Sequence, residues 1–289
     1  AAAGRLPVLA RLPQPGPPMV LTIVDLPPAG DGPRILAPTA ERPQTRLCVV
    51  RSAYAAQRWR EHAPASDVRV LPRGVDLLAL LNAAAAGADP PASPDPVANE
   101  QGSQRTLVCV GPFDERSGID TLLRAFAAVD QPGWRLHLLG PFDVGTGFGR
   151  SCAALAARIG RVTQEAAPPG CSLARIGRAF DLVCVPRLDP QAFALTVHEA
   201  ATLGVPCLVS QLGAQLDAVH AYRCGTGVAP GDERAWTTAL SNGPWRAEGR
   251  VPAAPTSPLP MRIEEEAFLY EGLYRQAVHS RQGLSTFGT

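Results

Sequence analysis

The stretch Leu107-Val108-Cys109-Val110-Gly111-Pro112-Phe113-Asp114-Glu115-Arg116-Ser117-Gly118-Ile119-Asp120-Thr121-Leu122-Leu123 changes its period halfway. Its first four residues are a continuous apolar run, the pattern of a strand buried on both faces. After the loop Gly111–Ser117, Ile119, Leu122, Leu123 and Phe126 fall at i, i+3, i+4 and i+7, one face of a helix. The unit recurs downstream. Trp134–Leu139 reads as a strand ending at Gly140, Cys152–Ile159 as a helix, Leu173–Phe180 as a short helix and Asp181–Val185 as a buried strand. A helix over 195–203 stops at Gly204, with Pro206 two places beyond, and Cys207–Val209 is the next strand. Strands separated by single helices, with continuous rather than alternating apolar runs, predict an α/β protein built on a doubly wound parallel sheet.

Upstream the signal is sparser. Val20–Val24 reads as a strand ending at Asp25, Leu47–Val50 as a short buried strand, and Val68–Leu71 as another. Ser52 suits an N-cap for a helix running to about His62. Residues 1–18 are a Pro-rich arm. Residues 83–104, with Asp89-Pro90-Pro91-Ala92-Ser93-Pro94-Asp95-Pro96, have the composition of a linker. A domain boundary is expected there, between residues 19–82 and 105–250. A last helix over 261–278 carries Ile263, Ala267, Tyr270, Leu273 and Tyr274 along one side.

Composition narrows the chemistry. The 289 residues are 46% hydrophobic, enough for a real core, and 27 basic against 26 acidic groups leave a net charge of +1. That balance gives no electrostatic footprint for nucleic acid or an anionic membrane. Every basic residue is arginine, so Schiff-base chemistry, a phosphate-loop lysine and a lysine general base are excluded. The 7 cysteines, at 48, 109, 152, 171, 184, 207 and 224, show neither a CxxC pair nor metal-ligand spacing. They read as reduced, buried small hydrophobes, which predicts a reducing compartment. No apolar run approaches the ~20 residues of a bilayer span. The chain begins with Ala rather than Met, which leaves open a removed targeting segment or a missing start. A mitochondrial or plastid matrix and a bacterial cytoplasm are both compatible.

The run Pro190-Gln191-Ala192-Phe193-Ala194-Leu195-Thr196-Val197-His198-Glu199-Ala200-Ala201-Thr202-Leu203-Gly204-Val205-Pro206 resembles the signature of retaining GT-B glycosyltransferases with a Glu-x7-Glu motif. Ser210-Gln211-Leu212-Gly213-Ala214-Gln215-Leu216-Asp217 stands where that family has a diglycine loop, and the segment from Val110 to Leu123 aligns with its Gly-Arg…Lys-Gly stretch. Thr22–Leu26 and Leu71–Asp76 look like later landmarks of its N-terminal domain, and the helix over 261–278 resembles the terminal helix crossing back to that domain. The resemblance implies a GT-B-like architecture: a donor-nucleotide domain over 105–250 plus a short, Rossmann-like N-terminal domain lacking the family's first strands and glycine loop.

It also implies a site, residue by residue. The family's phosphate-binding arginine falls at Pro112 and its lysine at Ser117, so neither charge is present; Arg116 is the adjacent candidate substitute. The first signature glutamate is Gln191. The second is Glu199, either the ribose acceptor or an exposed helix glutamate. The diglycine becomes Gly213-Ala214, and the active-site histidine becomes Val24. The glycine cluster Gly140, Gly145, Gly147 and Gly149 reads as a flexible loop or an anion cradle. Glu199, Gln191, Gly213, Ala214 and Arg116 are therefore the candidate binding residues, no residue is assigned to catalysis, and no metal is expected. The functional expectation is a catalytically inactive glycosyltransferase-like protein serving as an accessory subunit with protein partners, retaining at most residual nucleotide or nucleotide-sugar binding. An active retaining glycosyltransferase and a non-catalytic nucleotide-sugar sensor are the alternatives.

Overall fold

The computed structural model describes residues 19–23, 45–62, 67–80, 105–165, 180–243 and 260–282. In chain order its elements are β1 (Met19–Ile23), β2 (Thr45–Val50), α1 (Ala53–His62), β3 (Val68–Val70), β4 (Arg105–Val110), α2 (Ile119–Ala128), β5 (Trp134–Leu139) and α3 (Gly147–Ile159). There follow β6 (Val162–Glu165), β7 (Leu182–Val185), α4 (Leu195–Leu203), β8 (Cys207–Ser210), α5 (Gly213–Tyr222), β9 (Gly225–Val228), α6 (Glu233–Asn242) and α7 (Ile263–Gln282). They divide into two compact units, one holding the described residues up to Gly74, Gln191–Phe193 and those from Met261, the other holding Val75–Pro190 and Ala194–Pro260.

The first unit carries a parallel three-stranded sheet in the order β1-β2-β3. The Ser52 hydroxyl caps α1 by accepting the Ala55 N–H at 3.0 Å. Helix α7 closes on this sheet through specific contacts. Tyr270 and Thr22 share a hydroxyl hydrogen bond of 3.1 Å, and Glu266 accepts from the Arg51 guanidinium at 2.5 Å and from the Gly74 N–H at 2.7 Å. Any side chain at Gly74 would meet the Ile263 backbone, with a Cβ 2.4 Å from its Cα.

The second unit is a parallel six-stranded sheet in the order β6-β5-β4-β7-β8-β9. Alternate residues of one strand feed two different cores. Leu107 and Cys109 pack with α2, α3 and α6 around Phe126, Cys152 and Trp236; Val108 packs with α4 and α5 around Val197, Ala201 and Val219. Helices thus cover both faces, which is why the strands read as unbroken apolar runs. The six described cysteines are buried and none is in a disulfide. Burial pushes the Cys109 thiol up to about 12 and raises Cys184 well above its ordinary value, so both are unreactive core residues.

Several expectations need correction. Val75 and Leu80, assigned by composition to the N-terminal domain, are buried and pack against Leu203 of the second unit. The glycines at 147 and 149 open α3 instead of forming a loop, because the Thr146 hydroxyl accepts the Gly149 N–H and supplies a cap. Strands β6 and β9 and helices α5 and α6 add to the predicted set. The arm over 1–18, Asp25, the linker over 83–104 and the expected helix before Phe180 lie outside the described residues.

Candidate functional site

In chain order the second sheet runs third, second, first, fourth, fifth, sixth. The winding therefore reverses between β4 and β7, and the loops leaving their carboxyl ends border the crevice where such sheets bind ligands. Local chemistry builds the first loop. The Asp114 carboxylate accepts the Arg116 N–H at 3.1 Å, and its carbonyl accepts the Ser117 N–H at 3.0 Å and the Ser117 hydroxyl at 2.5 Å. Gly118 then takes a left-handed φ of 67°, and a Cβ there would sit 1.9 Å from the Pro186 carbonyl oxygen. Only glycine fits. The close approach lets the Leu188 N–H donate to the Arg116 carbonyl at 2.8 Å, so the loops after β4 and β7 are joined backbone to backbone.

Four charged side chains sit on this junction. Arg187 donates from Nε and Nη2 to one oxygen of Asp189, at 3.0 and 2.6 Å, and its Nη1 lies 4.0 Å from Asp114. Arg116 lies 3.4 Å from Asp114 and 3.7 Å from the second oxygen of Asp189. Side-chain exposure falls from 66% at Arg116 through 45% at Asp114 and 32% at Asp189 to 19% at Arg187.

Of the candidates read from the sequence, Arg116 belongs to this cluster. Pro112 is exposed and has no N–H to donate. Gly213, at φ 52°, opens α5 beyond β8, and Ala214 is buried behind it. That loop is two strand spacings from β4, on the order of 10 Å, and it carries no charge between Ser210 and Leu216. The Ser210 hydroxyl and the Gln215 carbonyl oxygen are buried there without a hydrogen-bond partner among the described residues. Glu199 is buried on α4 and engaged inside the fold, which removes its reading as an exposed helix glutamate. Gln191 is half-buried and groups with the first unit, whereas the other candidates lie in the second. Arg187 and Asp189 were not singled out from sequence. Their only signal is an Arg-Leu-Asp step directly after a buried strand and Pro186.

The histidines of the second unit's interior are structural. His198 donates from Nδ1 to the Ala194 carbonyl at 2.8 Å and meets Tyr222 edge-on at 5.1 Å; burial lowers its pKa. His137 shares a 2.8 Å bond with the Thr163 hydroxyl and stacks near Phe180. Burial lowers its pKa too, against the opposing pull of Glu165 at 3.5 Å. Among the described residues no group of three His, Cys, Asp or Glu side chains could hold a metal ion, and no helix is long and apolar enough to cross a membrane.

A doubly wound parallel sheet with this strand order is an α/β architecture, and the folds it matches are those of GT-B glycosyltransferases. Sucrose-phosphate synthase from Thermosynechococcus elongatus aligns with a TM-score of 0.68 at 23% identity, covering 90% of this chain and 68% of that one. The Anabaena protein HepE, solved in complex with UDP and glucose, aligns at 0.68 and 17% identity, covering 89% and 72%. Residues 104–242 match the family model described as glycosyl transferases group 1. D-inositol 3-phosphate glycosyltransferase of Segniliparus rotundus is 33% identical over 157 residues, 52% of this chain and 33% of that protein. Phosphatidyl-myo-inositol mannosyltransferase of Mycobacterium tuberculosis is 30% identical over 183 residues, 62% and 44%. The chain thus spans less than half the length of these curated relatives.

Proposed function

We propose that this chain binds a nucleotide-sugar through its second unit without transferring the sugar at an enzyme's rate, and that it acts as a non-catalytic sensor or accessory subunit. The observation that carries this reading is the loop after β4. A departing nucleoside diphosphate needs cations or donors where its charge develops. Pro112 supplies neither, the Ser117 hydroxyl is buried and committed to the Asp114 carbonyl, and the nearby arginines, Arg116 and Arg187, are already paired with Asp114 and Asp189. Gln191 keeps a hydrogen-bonding amide but not the signature's charge. Removing one such stabilising group typically costs ~10²–10³ in rate.

The active-glycosyltransferase reading is favoured by the curated relatives, which are named as glycosyltransferases. One assay decides between them. The purified chain is incubated with UDP-, GDP- and ADP-sugars, and released nucleoside diphosphate is measured. Release at background supports our reading; turnover at ~1 s⁻¹ or faster, an ordinary enzyme rate, overturns it.

A further inference from the structure

Two guanidinium groups meet over the reversal of the sheet, and among the described residues both are held at their charged ends by carboxylates alone. We infer that Arg187, together with Arg116, is the anion receptor of this crevice, with Asp189 occupying both arginines until the diphosphate of a nucleotide ligand displaces it. The inference rests on the nucleotide-binding reading above, but it assigns the leading charge to Arg187, which neither the sequence motifs nor that reading supplies.

Position is the first argument. The crevice outside the carboxyl ends at a winding reversal is where open α/β sheets bind ligands, and Arg187 is two residues beyond the end of β7. The second is anchorage. Arg187 is the least exposed member of the cluster, on a loop fixed by the Leu188–Arg116 bond and the Gly118–Pro186 contact. A cation held in this way is preorganised, and arginine's fork of donors matches phosphate oxygens.

The third argument is the pattern of bonds to Asp189. One oxygen takes two N–H groups from Arg187 while the other faces Arg116. A carboxylate that bridges two guanidiniums through separate oxygens does what adjacent phosphate oxygens would do, with less charge. Asp189 is one-third exposed, so release returns it to water instead of stranding a buried ion. A simple loop staple would use the same four residues, but would have no reason to respond to anions.

Calorimetry on the full chain separates these cases. The probes are UDP, GDP and ADP, their parent nucleosides, and inorganic pyrophosphate, with thermal melts confirming that each variant is folded. The expected wild-type result is a diphosphate preference of about tenfold or more over the best-bound nucleoside. Arg187→Gln abolishes that preference and pyrophosphate binding but leaves nucleoside affinity within about twofold; Arg187→Lys restores only part, since an ammonium cannot fork. Asp189→Asn removes the competitor and tightens pyrophosphate and diphosphate about three- to tenfold. An unchanged preference in Arg187→Gln or Arg187→Lys, or weaker anion binding in Asp189→Asn, overturns the inference. So does a wild-type chain that binds nucleosides but prefers no anion, a result that leaves nucleotide binding standing. Arg187-dependent pyrophosphate binding with no response to any nucleoside does the reverse: it upholds the receptor and sinks the nucleotide-binding reading.

Discussion

The two ends of the second sheet use the same residue type for opposite purposes. At the amino end, Arg161 lies just ahead of β6 and donates to the carbonyls of Gln131 at 2.5 Å and Val129 at 3.1 Å, with its guanidinium 4.9 Å over the Phe126 ring. Arg105 pairs there with Asp181 at 3.8 Å, both largely buried. These cations satisfy fixed groups: helix-end carbonyls, an aromatic face and a buried acid. At the carboxyl end, among the described residues, the guanidiniums of Arg116 and Arg187 meet side-chain carboxylates that are 45% and 32% exposed. An arginine saturated by backbone is part of the frame. One held by an exchangeable carboxylate can accept another anion, and the difference is visible only in the partners.

The sharpest way to break the carboxyl end is through its backbone. Gly118→Ala places a methyl group into the Pro186 carbonyl, at 1.9 Å, in a left-handed conformation. The conformation alone costs ~1–2 kcal/mol and forced overpacking adds ~1–3. A loss of about 2–5 kcal/mol is therefore expected in urea unfolding followed by tryptophan fluorescence. Because the same contact aligns Arg116 with Asp189, pyrophosphate binding should fall as well. A variant within 1 kcal/mol of wild type would show that the two loops are not locked to one another.

Next in size is the amino end. Arg161→Ala strips charged donors from the carbonyls of Phe126, Val129 and Gln131 and removes a cation from the Phe126 face, a loss of roughly 2–3 kcal/mol. Anion binding should not change. Arg116→Ala is the matched control: mostly exposed, it should alter stability by no more than ~0.5 kcal/mol while weakening the anion site. Were the two variants to trade places, with the exposed arginine destabilising and the capping one silent, the contrast between the ends would be lost.

How much of this could be read in advance follows from burial. β4 and β5 were legible because both faces are covered: every residue from Leu107 to Val110 is apolar, as are Trp134, Leu136, Leu138 and Leu139 of β5. β6 was not. Val-Thr-Gln-Glu lies at the sheet edge and is mostly exposed, so it leaves no apolar run. β9 hides behind its glycines, one of which is dictated by the Cys207 carbonyl, 1.9 Å from where a Cβ on Gly225 would lie. The start of α6 did carry a readable cue, Asp232, whose carboxylate caps the Ala235 N–H. In the site, Arg116 was reachable because it neighbours a recognisable loop. Arg187 and Asp189 were not, since their meaning depends on β7 lying beside β4, a pairing across more than seventy residues of chain. Local patterning cannot supply that adjacency; topology does.

The smallest effect tests a residue that looks chemical and belongs to the frame. His198 neighbours Glu199 on α4, yet its Nδ1–H is held by the Ala194 carbonyl and burial lowers its pKa. The unfolded chain, near 6.5, takes up a proton that the folded chain refuses. Its contribution is thus fully present above about pH 6.5 and is lost as the pH falls from there toward the folded value. The slope approaches one proton, about 1.4 kcal/mol per pH unit at most. His198→Asn keeps a donor for Ala194 but has nothing to titrate. It should be less stable than wild type at pH 7.5, and the gap should narrow on acidification to pH 5.5 in denaturant titrations. His137 titrates in the same direction, but Glu165 opposes the shift and it remains in both proteins, so it cancels from the difference. A gap that stays constant over that range would mean His198 binds its proton equally in both states.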